Sequence, residues 1–114
     1  MALRSYVSGS WFAPADEGAP AVDAVTGEQI TTISSEGIDT RAALEYGRRV
    51  GGPALRELTF HERAALLKSV GGMLRENRDE LYALSARTGA TQFDSTFDID
   101  GGIGVLLSYA SKGR

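Results

Sequence analysis

The sequence predicts an α+β chain, mainly α-helical, that opens with two short β-hairpins. Three observations carry this. Between Thr59 and Thr91, Phe60, Ala64, Leu67, Leu74, Leu81 and Leu84 recur at spacings of three, four or seven, and Leu66, Val70 and Met73 widen the stripe. That is the period of a helix with one face in need of a partner. Thr59 with Glu62 has the pattern of a capping box, and Gly89 is placed to close the helix. Before residue 37 the pattern is instead short extended runs broken by glycine turns.

Taken in order, Tyr6 to Phe12 reads as two extended pieces about a Ser8-Gly9 turn. Pro14 to Pro20 reads as a loop. Ala21–Ala24 and Gln29–Ile33 flank Val25-Thr26-Gly27-Glu28 as a second hairpin, with Gly27 supplying positive φ. Thr31, Thr32 and Ile33 favour extension because branched β-carbons suit a pleated surface. Two such short hairpins are marginal alone and must lie against something. A serine at 34 or 35, or Asp39, then caps a helix through Ala42, Ala43, Leu44, Tyr46 and Val50. Gly51-Gly52-Pro53 is expected to end it, since proline disfavours helix at the residue before it. Ala54 to Leu58 allows at most one further turn.

Within the central stretch the polar run Arg75 to Glu80 marks a solvated segment where the helix breaks or kinks near Asn77. A last helix begins near Asp94 and carries Phe97, Ile103, Val105, Leu106 and Tyr109. Its glycines, Gly101, Gly102 and Gly104, each cost about 1 kcal/mol against alanine in a helix interior. The sequence stops at Gly113-Arg114, directly after apolar helix, where a domain boundary is implausible.

Composition narrows the function classes. A chain of 114 residues is one domain or part of one; an independent domain of this size would bury roughly 60–70% of its unfolded surface. A net charge of −3 and scattered Lys and Arg exclude a large basic surface for nucleic acid. The absence of cysteine removes disulfides, a thiolate nucleophile and thiolate-bound zinc. His61 is the one histidine, and the carboxylates are not spaced as a calcium loop requires. The first residues lack the apolar core of about seven residues that a signal peptide carries. No apolar run approaches the roughly 20 residues needed to span a membrane. The expectation is a soluble cytoplasmic chain with no nucleic-acid or membrane partner.

Each candidate for chemistry has a plainer reading that the residues favour. Gly101-Gly102-Ile103-Gly104 lacks the third glycine of a dinucleotide fingerprint, where Leu107 stands, and lacks a preceding strand. Close helix packing is the better account, as it is for Gly71-Gly72. His61, between Phe60 and Glu62, reads as an exposed first-turn histidine with no nucleophile to serve. Asp94, Asp98 and Asp100 read as carboxylates placed favourably for a helix dipole rather than as a metal or acid–base set. Tyr6, Trp11 and Phe12 read as the contents of a small core rather than a base-stacking surface.

Read together, these segments resemble the N-terminal part of an aldehyde dehydrogenase. The family's opening motif of aromatic, aliphatic, Asn-Gly, Glu-Trp is matched by Tyr6-Val7-Ser8-Gly9-Ser10-Trp11, with Ser8 in place of Asn. Its Asn-Pro-Ala-Thr-Gly-Glu signature is matched by Asp23-Ala24-Val25-Thr26-Gly27-Glu28, with Ala24 in place of Pro. A Glu-Arg segment leading to paired leucines follows as Glu62-Arg63-Ala64-Ala65-Leu66-Leu67. Further blocks resemble the dehydrogenase part of the bifunctional enzymes of phenylacetate degradation. They are Ser35-Glu36-Gly37, Ala54-Leu55-Arg56, Leu58-Thr59-Phe60 with the Glu62-Arg63 segment, Tyr82-Ala83-Leu84-Ser85-Ala86, Thr88-Gly89-Ala90-Thr91, Asp98-Ile99, Gly101 to Gly104 and Tyr109-Ala110-Ser111.

The resemblance implies a longer parent with the α/β aldehyde dehydrogenase fold. Residues 1–114 would be its incomplete N-terminal part, hairpins over 1–36 and helices over 37–114. It further implies oxidation of a CoA-linked semialdehyde with NADP or NAD, using a cysteine, an asparagine and a glutamate that in the family all lie beyond residue 114. Accordingly no catalytic, cofactor-binding or metal residue is assigned within this chain, which is expected to be inactive alone and to bind no cofactor. The expected partners are the remainder of the dehydrogenase and a second copy, through apolar surface along Phe97–Tyr109 and the hairpins. Two other readings stand beside it: a free-standing helical interaction module of dehydrogenase ancestry, and a small autonomous enzyme using His61 and the aspartates.

Overall fold

The computed structural model describes residues 3–113. Met1, Ala2 and Arg114, which the expected hairpin and helical segments include, lie outside the described residues. By its contacts the chain divides into two compact units, Met1–Leu55 and Arg56–Arg114.

In the first unit, strands β1 (Ser5–Val7) and β2 (Ser10–Phe12) pair antiparallel with Tyr6 opposite Trp11. The turn places both Ser8 (φ 51) and Gly9 (φ 82) at positive φ, as the right-handed twist of a two-residue hairpin requires. Gly9 also lies beneath Tyr46, whose hydroxyl would sit 2.7 Å from a β-carbon there. Ser8 carries the strain, since a serine gains less than asparagine from the left-handed region. Ser8→Asn is therefore expected to stabilise the hairpin by about 0.5–1 kcal/mol. The readout is a higher thermal midpoint followed through Trp11, the sole tryptophan; an unchanged or lower midpoint refutes it.

Strands β3 (Ala19–Val22) and β4 (Gln29–Ile33) form a second antiparallel ribbon with a register shift between Ala21 and Val22. The expected strand at Ala21–Ala24 is corrected in two ways. It begins earlier, taking in Ala19 and Pro20, because each strand of a two-stranded ribbon has a free edge where a missing N–H costs nothing. It ends at Val22, because the Asp23 carboxylate accepts the amides of Val25 (2.8 Å) and Thr26 (3.1 Å) and turns the backbone. The Leu3 amide donates to the Thr32 carbonyl at 2.9 Å, tying the N-terminal segment to β4.

Helix α1 (Thr40–Tyr46) is capped by Asp39, which accepts the Ala42 amide at 2.9 Å. The predicted stop at Gly51-Gly52-Pro53 does not occur. A π-helical turn, Gly47–Gly51, leads into α2 (Gly52–Glu57) with Pro53 inside it. Gly52 donates to the Gly47 carbonyl five residues back and keeps helical φ −61, ψ −49. Two physical facts permit this: the widened turn relieves the proline ring's conflict with the preceding turn, and Gly52 has no β-carbon for the ring to strike.

The second unit is helical. Helix α3 (Phe60–Glu76) begins at the expected capping box: Thr59 Oγ1 accepts the Glu62 amide (3.2 Å) and the Glu62 carboxylate accepts the Thr59 amide (2.7 Å) and hydroxyl (2.8 Å). The expected break occurs at Asn77 (φ −99, ψ 18), after which α4 (Arg78–Ala86) starts. Gly89 then turns the chain at φ 84. A second capping box, Thr91 with Asp94, opens α5 (Gln92–Ser95), a π-helical turn (Thr96–Asp100) and α6 (Gly101–Lys112) as one continuous helical run. The last element thus starts at Gln92, two residues before Asp94, with Thr91 as its cap.

Helix α3 packs along α6, and α4 packs on the α5 end of that run. Gly71 makes the close approach between α3 and α6: a β-carbon there would meet Leu107 Cδ2 at 2.9 Å and Cγ at 3.2 Å. The packing expectation therefore holds at Gly71. It fails at Gly72, Gly101, Gly102 and Gly104, where a β-carbon would meet nothing within 4 Å. On the α4 side, Tyr82 Oη donates to Asp100 Oδ2 at 2.7 Å and the Ser95 and Ser85 hydroxyls lie 2.9 Å apart.

The bonds from the Thr59 amide, then the Thr59 hydroxyl, hold the Glu62 carboxyl below its ordinary range. A depressed folded-state value means that its stabilising contribution is present above the unfolded value and is lost as pH falls through the folded one. Glu62→Gln should flatten that acid limb of a melting-temperature-against-pH profile. Thr59→Ala, which removes the cap, is expected to cost about 1 kcal/mol in chemical denaturation.

Candidate functional site

The structure separates the residues that sequence reading singled out for chemistry. His61 is exposed on the first turn of α3, as expected. It borders a hollow of about 300 Å³ with Lys68, Ser111 and a floor of alanines. The Ser111 hydroxyl there donates to the Ser108 carbonyl at 2.7 Å, and among the described residues no carboxylate lines the hollow to orient the imidazole.

The aspartates are divided among three tasks. Asp94 closes the Thr91 capping box. Asp100 accepts from Tyr82 and lies 3.8 Å from Arg78, in a half-exposed pair of little energetic weight. Asp98 lines a different hollow. Among the described residues no three potential metal ligands gather. Gly101 to Gly104 lie inside a helical run, and the Gly101 amide donates to Asp98 and Phe97 carbonyls. That run does not present the free glycine-loop amides with which a dinucleotide fingerprint holds a pyrophosphate.

The aromatic hairpin is a correction. Tyr6 and Trp11 are 63% and 62% exposed rather than enclosed in a small core. They meet edge to face at 5.3 Å, with the Arg4 guanidinium 5.3 Å above the Trp11 ring. A cross-strand pair on a two-stranded ribbon has nothing above it to bury it, because the ribbon is one layer thick.

What the structure does assemble is uncovered apolar surface. Phe93 and Phe97 are 78% and 75% exposed and, with Gly101 and Val105 at successive helical spacings, line an open hollow of about 550 Å³. Leu66, Val70 and Met73 form a second exposed stripe on α3. Among the described residues the buried apolar side chains are the small or single ones Ala64, Ile103 and Ala110, and no large side chain is completely enclosed. Two separate compact bodies sharing this mass would expose about 7,300 Å² in total by the usual scaling. This chain exposes 8659 Å², more than even that arrangement needs. No helix among the described residues is long and apolar enough to cross a membrane.

Sequence reading gave no role to Arg63. Its Nε is buried and has no hydrogen-bond partner among the described residues, while its guanidinium carbon lies 5.6 Å from the centre of the Phe60 ring. It stands beside a hollow of about 260 Å³ walled by Phe60, Leu67, Tyr109 and Lys112. The only signal in the sequence was its place in the Glu62-Arg63 motif, which carries no statement about what the arginine meets.

The model of the aldehyde dehydrogenase family matches residues 11–114. The chain is 46% identical over 115 aligned positions to a 3,4-dehydroadipyl-CoA semialdehyde dehydrogenase of Aromatoleum evansii, an alignment that takes in all of this chain and 22% of that relative. The chain therefore spans about a fifth of the length of the curated relative it matches. With a family match over nearly its whole length and a relative this similar throughout, the chain belongs to the aldehyde dehydrogenase family.

Proposed function

We propose that these residues form the N-terminal segment of an NAD(P)-dependent dehydrogenase that oxidises a CoA-linked semialdehyde in aromatic-acid catabolism, phenylacetate degradation included. The observation that carries this reading is the 46% identity maintained along the whole chain to a dehydrogenase named for a CoA-linked semialdehyde. The uncovered apolar faces support it, since a segment that completes a larger fold leaves such faces for the rest of the polypeptide. The nicotinamide would accept the hydride. Because the Gly101 to Gly104 run lies within a helix and does not fit a dinucleotide, no step of that transfer falls to these residues. Their task is structural: they supply a helical layer and two ribbons against which the catalytic part is built. Alone the chain is inactive, cytoplasmic, and prone to pair with itself.

The test joins residues 1–114 to the remaining four-fifths of the Aromatoleum evansii dehydrogenase. The fusion should reduce NAD or NADP in the presence of 3,4-dehydroadipyl-CoA semialdehyde, while the isolated chain should reduce neither. A fusion that folds but does not turn over, or an isolated chain that does, overturns the reading.

A further inference from the structure

Resting on that reading, we propose that the hollow beside Arg63 is a docking socket for the remainder of the dehydrogenase polypeptide, which places a carboxylate against the guanidinium and an apolar side chain next to it. The first support is an unmade bond. Arg63 Nε is buried without an acceptor among the described residues, and a buried donor left unpaired is costly enough that native structures rarely keep one. The acid nearest in sequence is engaged elsewhere: the Glu62 carboxylate accepts both the amide and the hydroxyl of Thr59. By contrast Arg78 has Asp100 beside it.

The second support is charge. Lys112 lines the same hollow, and Lys68 lines the neighbouring one. Among the described residues no carboxylate lines either, although the chain as a whole carries net charge −3. A concentration of cations against the overall sign selects a carboxylate over a neutral carbonyl. A guanidinium can offer Nε and a terminal nitrogen together, as a two-bond edge that matches a carboxylate.

The third support is shape. Phe60, 78% exposed, and Tyr109, 64% exposed, stand with Leu67 as the remaining walls. Gly113 holds the floor in place: a β-carbon there would lie 2.7 Å from Ala64 Cβ and 3.0 Å from the Phe60 carbonyl oxygen, so the end of α6 is seated on the first turn of α3. A socket with apolar walls and one cationic edge takes an acidic residue adjacent in space to a leucine-like or aromatic one. Since the chain covers 22% of its relative, the rest of that polypeptide is the occupant to hand.

The experiment compares Arg63→Ala and Arg63→Lys in the isolated chain and in the fusion described above. In the active fusion, Arg63→Ala should lower the melting midpoint by several degrees, and Arg63→Lys should recover little of the loss because an ammonium lacks the two-bond edge. In the isolated chain both variants should melt as the parent does. A fusion that is active yet melts unchanged with Arg63→Ala overturns the socket and leaves the dehydrogenase reading intact. An equal loss in the isolated chain overturns it too, because Arg63 then acts within these residues. If Arg63→Ala instead dissolves self-association of the isolated chain, the occupant is a second copy and the proposal as stated fails. A fusion that folds but does not turn over removes the dehydrogenase reading itself.

Discussion

Gly71→Leu is expected to lower the stability of the helical unit by about 2–3 kcal/mol, the range for forcing extra atoms into a closed contact. A bare α-carbon is what lets α3 approach α6 here. Even the first added carbon would sit 2.9 Å from Leu107 Cδ2, 3.2 Å from its Cγ and 3.8 Å from Leu106 Cβ. The side chain beyond that carbon has no space unless the helices separate, and separation would also loosen Ile103 and Ala110, two of the few buried apolar residues. The adjacent residue gives the opposite result. Gly72→Ala meets nothing within 4 Å and removes a flexible residue from a helix interior, a gain of about 0.5–1 kcal/mol. Urea denaturation of the two variants reads both. Equal and opposite-signed shifts are not required, but a stable Gly71→Leu, or a destabilised Gly72→Ala, would show that α3 does not meet α6 along Gly71.

The isolated chain is expected to self-associate between micromolar and millimolar concentration, and Phe93→Glu with Phe97→Glu is expected to weaken that association about a hundredfold or more. Each phenylalanine ring removed from water contributes roughly 1.5–3 kcal/mol, and about 1.4 kcal/mol is a factor of ten in affinity. The two rings lie one helical turn apart on the α5–α6 run, with Gly101 and Val105 extending the same hollow. Glutamates there add like charge at the same face, at two positions that are themselves largely exposed. Light scattering across the concentration range reads the effect: a wild-type chain that stays a monodisperse monomer contradicts the expectation, as does a double variant that associates equally well.

These two predictions mark the limits of sequence reading. The stripe on α3 was legible from its period, but the period does not say which apolar residues find partners. Ala64 is buried, whereas Leu66, Val70 and Met73 on the same helix are not. Likewise Phe97 and Tyr109 were expected to be uncovered, but Phe93, equally exposed, lay before the helix start that Asp94 suggested. The true cap, Thr91, was readable as a Thr-x-x-Asp pattern.

What the sequence determined by itself is local. The Ser8-Gly9 turn, a cap at Asp39 or the serines before it, the Thr59–Glu62 box, the break at Asn77 and the turn at Gly89 each close hydrogen bonds or dihedral angles within a few residues. The identities of those few residues are therefore enough. The family resemblance rests on the same short motifs. Tertiary structure decided the rest. It kept the chain helical through Gly52-Pro53 with a widened turn, gave Gly71 a packing role it denied to Gly101, Gly102 and Gly104, and left Tyr6 and Trp11 exposed. It also left Arg63 Nε without an acceptor among the described residues. Each of these depends on which atoms from distant positions arrive at a given surface, and a residue's type and its near neighbours carry no record of that.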